Sequence, residues 1–111
     1  MKTTQNIDLQ VYRTIGSKVF TGRDRGIEVR EASRIDTLAD QKDLITLIIP
    51  NDIRSINPSF LEEFLINVVK KLGENGFKQK FVFKNDGEYK IDDDLQEAIE
   101  RILREETALS I

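Results

Sequence analysis

Leu44-Ile45-Thr46-Leu47-Ile48-Ile49, followed at once by Pro50, is the stretch that decides the fold of this chain. This almost unbroken apolar run has the length of a strand, and such strands are typically covered on both faces at the centre of a parallel sheet. The clearest helical pattern comes next, from about Asn57 to Leu72, with Gly73 and Gly76 as its terminators. Its apolar residues share one helical face: Phe60, Leu61, Phe64, Leu65, Val68 and Leu72.

The segments on either side continue the alternation of strands and helices. Ile7, Leu9 and Val11 alternate with polar residues, which is the pattern of a half-buried strand. The remaining predicted elements are a helix from Gly22 to about Leu38, a strand from Lys80 to Lys84, a short extra strand at Tyr89-Lys90-Ile91, and a last helix starting near Asp92-Asp93-Asp94. The charges of that aspartate run suit the positive end of a helix dipole.

This order of elements predicts an α/β fold, with a mainly parallel sheet of three to four strands and about three helices packed on it. The length of 111 residues is typical of one domain. We therefore expect a single domain over residues 1–111, with its core at about residues 7–103.

Composition narrows the possible functions. The chain has no cysteine and no histidine, which removes disulfides, cysteine zinc sites and the usual general base near neutral pH. We expect no catalytic residue, no metal and no cofactor. The net charge of −3 argues against a nucleic-acid partner. No apolar run approaches the roughly 20 residues of a membrane span, and residues 1–6 lack the apolar stretch of a secretory signal. The prediction is a cytoplasmic protein.

Two loops should meet at one edge of the sheet, because the carboxyl ends of parallel strands lie together and open α/β sheets bind ligands there. The first loop is Phe20-Thr21-Gly22-Arg23-Asp24-Arg25-Gly26, and the second runs from Asn51 to Ser59. Arg23 and Arg25 would then lie near the start of the central helix. They could bind a phosphate-containing ligand directly.

The helix start itself has two structural interpretations and one functional one. Asn57 suits the N-cap, with Pro58 at the first helical position. Alternatively Ser59 caps the helix, with Glu62 completing a capping box. In the functional interpretation Ser59 is a contact or modification site, and a phosphate there would meet free backbone N–H groups and the helix dipole.

The stretch from Leu44 to Leu72 resembles the core of STAS domains, the anti-anti-sigma-factor class. In those domains an apolar strand leads through a short loop into a helix whose first turn holds a regulatory serine. The chain resembles more closely the STAS-like family of uncharacterised small domains. The matching positions are Phe20, Arg23 and Gly26 in the first loop, and Ile56, Ser59, Phe60 and Glu63 at the central one.

This resemblance implies a non-enzymatic regulatory module that docks on another protein, such as a kinase-like ATPase regulator. The docking surface would be the carboxyl edge of the sheet around the Ser59 helix start, with Asn57, Phe60, Arg23, Arg25 and Gly26. Ser59 takes the position of the phosphorylatable serine. The chain departs from the anti-anti-sigma pattern at Asn57, where those proteins carry aspartate, and at Phe60, where glycine usually follows the serine.

Three other hypotheses remain open at the level of sequence. Glu88-Tyr89-Lys90 has the Glu-x-Lys spacing of a metal-dependent nuclease half-site, to which Asp52 could add a carboxylate. Phe77, Phe81 and Phe83 could stack on the bases of a single-stranded nucleic acid while the interleaved Lys78, Lys80 and Lys84 contact its phosphates, although alternating aromatics more often form a core. Ile66 and Val69, if exposed, would form an apolar patch for a homodimer.

Overall fold

The computed structural model describes residues 2–109, with side chains as far as Arg104. Within this range the chain forms an α/β domain with four α-helices and parallel sheets. The elements are β1 (Thr4–Asp8), a 3₁₀ helix (Leu9–Tyr12), β2 (Val19–Phe20), α1 (Arg23–Ser33), α2 (Ile35–Gln41), β3 (Leu44–Ile49), β4 (Ser55–Ile56), α3 (Pro58–Lys80), β5 (Phe81–Asn85) and α4 (Asp92–Leu109).

The main sheet has three parallel strands in the order β1-β3-β5. Because this order follows the chain, right-handed crossovers place the connecting helices on one face of the sheet. On that face Ile45, Leu47 and Ile49 are buried, whereas Leu44, Thr46 and Ile48 on the opposite face are only half-buried. Residues 2–109 therefore cover the central strand fully on one face and only partly on the other, where coverage of both faces was expected.

A second, two-stranded parallel sheet joins the two loops that were expected to meet. Phe20 of β2 pairs with Ile56 of β4, and the backbone N–H of Asn57 donates to the Phe20 carbonyl at 2.8 Å. This pairing fixes the start of α1 beside the start of α3.

The helix predicted from Gly22 to Leu38 is two helices. Arg34 lies between them in the left-handed region, with φ 58° and ψ 34°, and this turn buries Ile35 and Ala39 of α2. Ala32, just before this turn, is exposed. The split raises the number of helices from the expected three to four.

The helix α3 begins after Asn57, as predicted, and its regular part ends at Gly73, whose φ of 74° and ψ of 174° break the helix. A second helical segment then continues to Lys80 and leads directly into β5. It buries Phe77, whose ring stacks on Phe81 with centroids 4.8 Å apart. These aromatic rings belong to the core, and Phe83 packs against it.

The first strand is shorter than the alternation of Ile7, Leu9 and Val11 predicts. The chain turns into a 3₁₀ helix after Asp8, whose carboxylate accepts a hydrogen bond from the Gln10 N–H at 2.9 Å. Val11 is consequently 73% exposed. The short extra strand at residues 89–91 does not form, and this segment leads into α4 as a loop.

The apolar patch proposed for a homodimer is covered within the chain. Val69 is fully buried, and Ile66 is half-buried against the core. Val69 is therefore not part of an exposed apolar patch, and Ile66 offers only part of its side chain. No helix within residues 2–109 combines the length and the apolar character needed to cross a membrane.

Candidate functional site

Asn57 is the N-cap of α3. Its side-chain oxygen accepts hydrogen bonds from the Ser59 N–H at 2.9 Å and from the Ser59 hydroxyl at 2.7 Å. Asn57 is exposed and Ser59 is half-buried. The alternative in which Ser59 caps the helix is wrong, because Ser59 donates to the cap and Glu62 bonds to arginines instead.

The first-turn N–H groups of α3 are already paired. Besides the Ser59 N–H, those of Phe60 and Leu61 donate to the Asn57 carbonyl at 3.0 Å and 3.2 Å. A phosphate on Ser59 would therefore not meet free N–H groups at these three positions, contrary to the expectation. An arginine side chain is the remaining group that could receive it.

Arg23 reaches the same side of α3 as Ser59. Its guanidinium lies 3.4 Å from a Glu62 carboxylate oxygen and 3.5 Å from a Glu63 carboxylate oxygen. Since residues three and four positions apart share a helix face, both carboxylates lie on the Ser59 side of α3. The structure thus brings Arg23 and Ser59 to one surface.

Arg25 lies elsewhere. Its guanidinium pairs with Glu28 at 2.8 Å and donates to the Tyr12 carbonyl, so it fastens α1 to the 3₁₀ helix. Nothing in these contacts directs Arg25 toward Ser59.

Gly26 and Phe60 are buried between α1 and α3, which corrects their assignment to a docking surface. A Cβ atom on Gly26 would lie 2.5 Å from the Phe60 carbonyl oxygen and 2.9 Å from Cβ of Glu63. Only glycine permits this approach of the two helices. These two residues therefore set the distance between α1 and α3, and they are not exposed to a partner.

A charged cluster beside Ser59 was not found from the sequence. Glu62 is only 4% exposed, and its carboxylate also accepts from Arg101 of α4 at 3.1 Å. Arg23, Arg101 and Arg104 surround Glu62 in a cleft of about 350 Å³. Arg101 and Arg104 are three residues apart and so share a face of α4. The sequence of α4 alone does not show which helix this face packs against, so the cluster could not be predicted.

The carboxyl edge of the three-stranded sheet has a larger cleft, of about 660 Å³. Its charged lining residues are Lys18, Asp52, Arg54, Asp86 and Glu88. The Asp52 carboxylate is held by the Arg13 guanidinium through contacts of 2.8 Å and 3.2 Å. This hydrogen bond lowers the pKa of Asp52 below its usual value.

The nuclease hypothesis gains no support at this cleft. Asp52 and Glu88 both line it, but Asp52 is already engaged by a guanidinium. Over the part of the chain that the structure describes, acidic side chains form no group of three that could hold a metal ion. Asp52 would have to leave the Arg13 guanidinium before its carboxylate could bind a metal ion.

Tyr89 also lines the cleft at the carboxyl edge of the main sheet, and its hydroxyl reaches β4 just before the start of α3. Its hydroxyl donates to the Asp94 carboxylate at 2.6 Å and lies 3.2 Å from the Ile56 carbonyl oxygen. Burial, together with the hydrogen bond to Asp94, raises the pKa of Tyr89 above its usual value. The hydroxyl thus fastens the beginning of α4 to β4, directly before Asn57.

No protein-family model, curated protein or solved structure matches this chain. Fold and site together define a parallel α/β domain in which Ser59, Arg23 and a buried glutamate–arginine cluster share the surface at the start of the longest helix.

Proposed function

We propose that this chain is a non-enzymatic regulatory module of the STAS-like type, which docks on another protein through the surface around Ser59. The observation that carries the proposal is the β2–β4 pairing, which fixes the start of α1 against the start of α3. That pairing supports the proposal because the half-exposed Arg23 then contacts Glu62, three residues after Ser59 on α3. A kinase-like ATPase regulator is the partner class that the resemblance to STAS domains favours.

Ser59 acts as a contact residue in this proposal. Its hydroxyl is held by Asn57 and its backbone N–H is capped, so the side chain has a fixed position before binding. A side chain that is already ordered loses little entropy when a partner covers it. Charge at this position would regulate docking, because a carboxylate or phosphate would lie beside Glu62 and Glu63 and would compete for Arg23.

Ser59→Asp is expected to weaken partner binding by about tenfold or more, because the added carboxylate would be buried in the interface beside Glu62 and Glu63. The measurement is quantitative pull-down from the native cell, followed by an affinity measurement with the captured protein. Thr37→Asp is the matched control, because Thr37 is exposed on α2 and the substitution adds the same charge. Equal affinities of wild type, Ser59→Asp and Thr37→Asp would contradict docking at Ser59.

The arginine cleft favours a second candidate function, the binding of a phosphate-containing ligand. Arg23 and Arg101 are each about half exposed, and one buried carboxylate holds both guanidinium groups in place. Pre-oriented guanidinium groups bind phosphate oxygens through paired N–H donors.

Inorganic phosphate is the probe for this second candidate. We expect saturable binding, followed by chemical-shift changes of the arginine side chains, that Arg101→Gln weakens severalfold. Arg54→Gln is the matched control, since the exposed Arg54 lines the other cleft. Shifts that never saturate, or that both variants leave unchanged, would exclude a phosphate site at this cleft.

A further inference from the structure

The face of the main sheet that points away from the helices is open over residues 2–109. Strand pairing arranges its side chains in rows that run across β1, β3 and β5. Asn6, Thr46 and Val82 form one row, and Asp8, Ile48 and Lys84 form the next. Val82 is 45% exposed, and the residues of β3 on this face are half-buried.

On this face the central strand is more apolar than a solvent-facing strand requires, whereas the edge strands also carry polar and charged residues. Parallel sheets are found almost only with both faces covered, and their strands are accordingly apolar on both sides. β3 follows that rule, since Leu44 and Ile48 point to the open face while Ile45, Leu47 and Ile49 fill the core. The residues of this strand are therefore suited to a second layer that residues 2–109 do not supply.

The charges on the two edge strands indicate which partner covers the open face. Asp8 on β1 and Lys84 on β5 lie in the same row, at opposite sides of Ile48. A two-fold axis parallel to the strands would place β1 over β5 of a second copy at the same level. Asp8 of each copy would then oppose Lys84 of the other, and β3 would pack on β3. Two-fold contacts of this self-complementary kind are the commonest in homo-oligomers.

We propose that the open face of the main sheet binds a second copy of this chain, face to face, with Thr46 and Ile48 near the two-fold axis and two Asp8–Lys84 ion pairs at the rim. Aligned sheets pack about 10 Å apart in such arrangements. This surface is separate from the one around Ser59, so the proposal does not depend on the proposed function.

The expected dimer is reversible. Three strands about 4.8 Å apart with five residues of about 3.3 Å each present a face of only about 15 Å by 17 Å. Stable interfaces bury about 800 Å² on each partner, and smaller ones are transient. We therefore expect a monomer–dimer equilibrium that depends on protein concentration.

The test is sedimentation equilibrium of the full chain over a wide range of concentrations. Wild type is expected to dimerise. Thr46→Lys should abolish the dimer, because two like charges would meet at the axis, and Thr37→Lys, at an exposed site on α2, should leave it unchanged. Melting temperatures identify any variant that has lost its fold.

A charge reversal at the rim provides a second test variant, in which no residue of the central strand β3 is changed. Lys84 is exposed at the sheet edge, and Lys84→Glu should weaken dimerisation about tenfold, because each Glu would face Asp8 of the other copy. Adding Asp8→Lys should restore the affinity, and its melting temperature shows whether the fold tolerates the loss of the Asp8 cap on the 3₁₀ helix. A chain that stays monomeric at every concentration would overturn the proposal and assign the face to a different partner. A dimer that neither Thr46→Lys nor Lys84→Glu weakens would overturn it as well.

Discussion

Replacing Phe60 by alanine is expected to lower the free energy of unfolding by about 3–5 kcal/mol, as is typical when a large aromatic ring is removed from a well-packed core. Phe60 is fully buried. Its ring centroid lies 5.2 Å from that of Phe20 and 5.8 Å from that of Phe64, so one ring joins the β2 segment to α3. Because domains have about 5–15 kcal/mol of stability in total, this variant should be close to unfolding.

Chemical denaturation of the purified chain measures this effect. Phe83→Ala is the matched control, since Phe83 is only half-buried at the edge of the core, and we expect its loss to be at most about half as large. A Phe60→Ala chain as stable as wild type would mean that Phe60 is a surface residue, as the sequence resemblance had suggested.

Gly26→Ala is expected to destabilise the chain by about 1–3 kcal/mol, the usual range for forcing an extra methyl group into a closed contact. The added Cβ would lie 2.5 Å from a backbone oxygen, that of Phe60, and backbone cannot rotate away as a side chain can. The helices α1 and α3 would have to separate. Since they carry Arg23 and Ser59, respectively, the same substitution should also weaken partner binding.

Gly76→Ala is the control for this second substitution. Gly76 lies in the last helical segment of α3, and a Cβ there meets only Cβ of Leu72, at 3.2 Å. Alanine is favoured over glycine in helices by about 1 kcal/mol, which offsets this contact, so stability should change by less than about 1 kcal/mol. Equal destabilisation by Gly26→Ala and Gly76→Ala, measured by thermal or chemical unfolding, would contradict the close approach at Gly26.

The central strand and the helix after it could be predicted from sequence because their patterns are local and long. The run from Leu44 to Ile49 and the apolar face of residues 57–72 each contain enough residues to fix element type and limits. Pro58 after Asn57 correctly gave the helix start. The topology that followed from these elements also correctly brought the two loops together.

The first part of the chain was less predictable because tertiary packing determines it. Arg34 adopts a left-handed conformation that few residues other than glycine take up, so no local signal marks the break between α1 and α2. Similarly, the alternation of residues 7–11 continues beyond the end of β1, where the Asp8 cap starts a 3₁₀ helix instead.

The site shows the same division between local and long-range information. Arg23 and Ser59 were expected at one edge because strand direction alone places them there. The ion pairs of Glu62 with Arg23 and Arg101 each join residues 39 positions apart, and a helical pattern counts such a glutamate as solvent-facing. Gly26 and Phe60 were assigned to the surface because the resemblance identifies positions but not whether they are buried.

Amide hydrogen exchange of this chain, with and without the captured partner, tests docking at the Ser59 surface most directly. Exchange reports protection residue by residue, so it locates the covered surface without any substitution. We predict slower exchange of residues 20–26 and 55–63 in the complex, and unchanged exchange in α2. Protection that is confined to α2 or to the open face of the main sheet, with residues 55–63 unchanged, would contradict docking at Ser59.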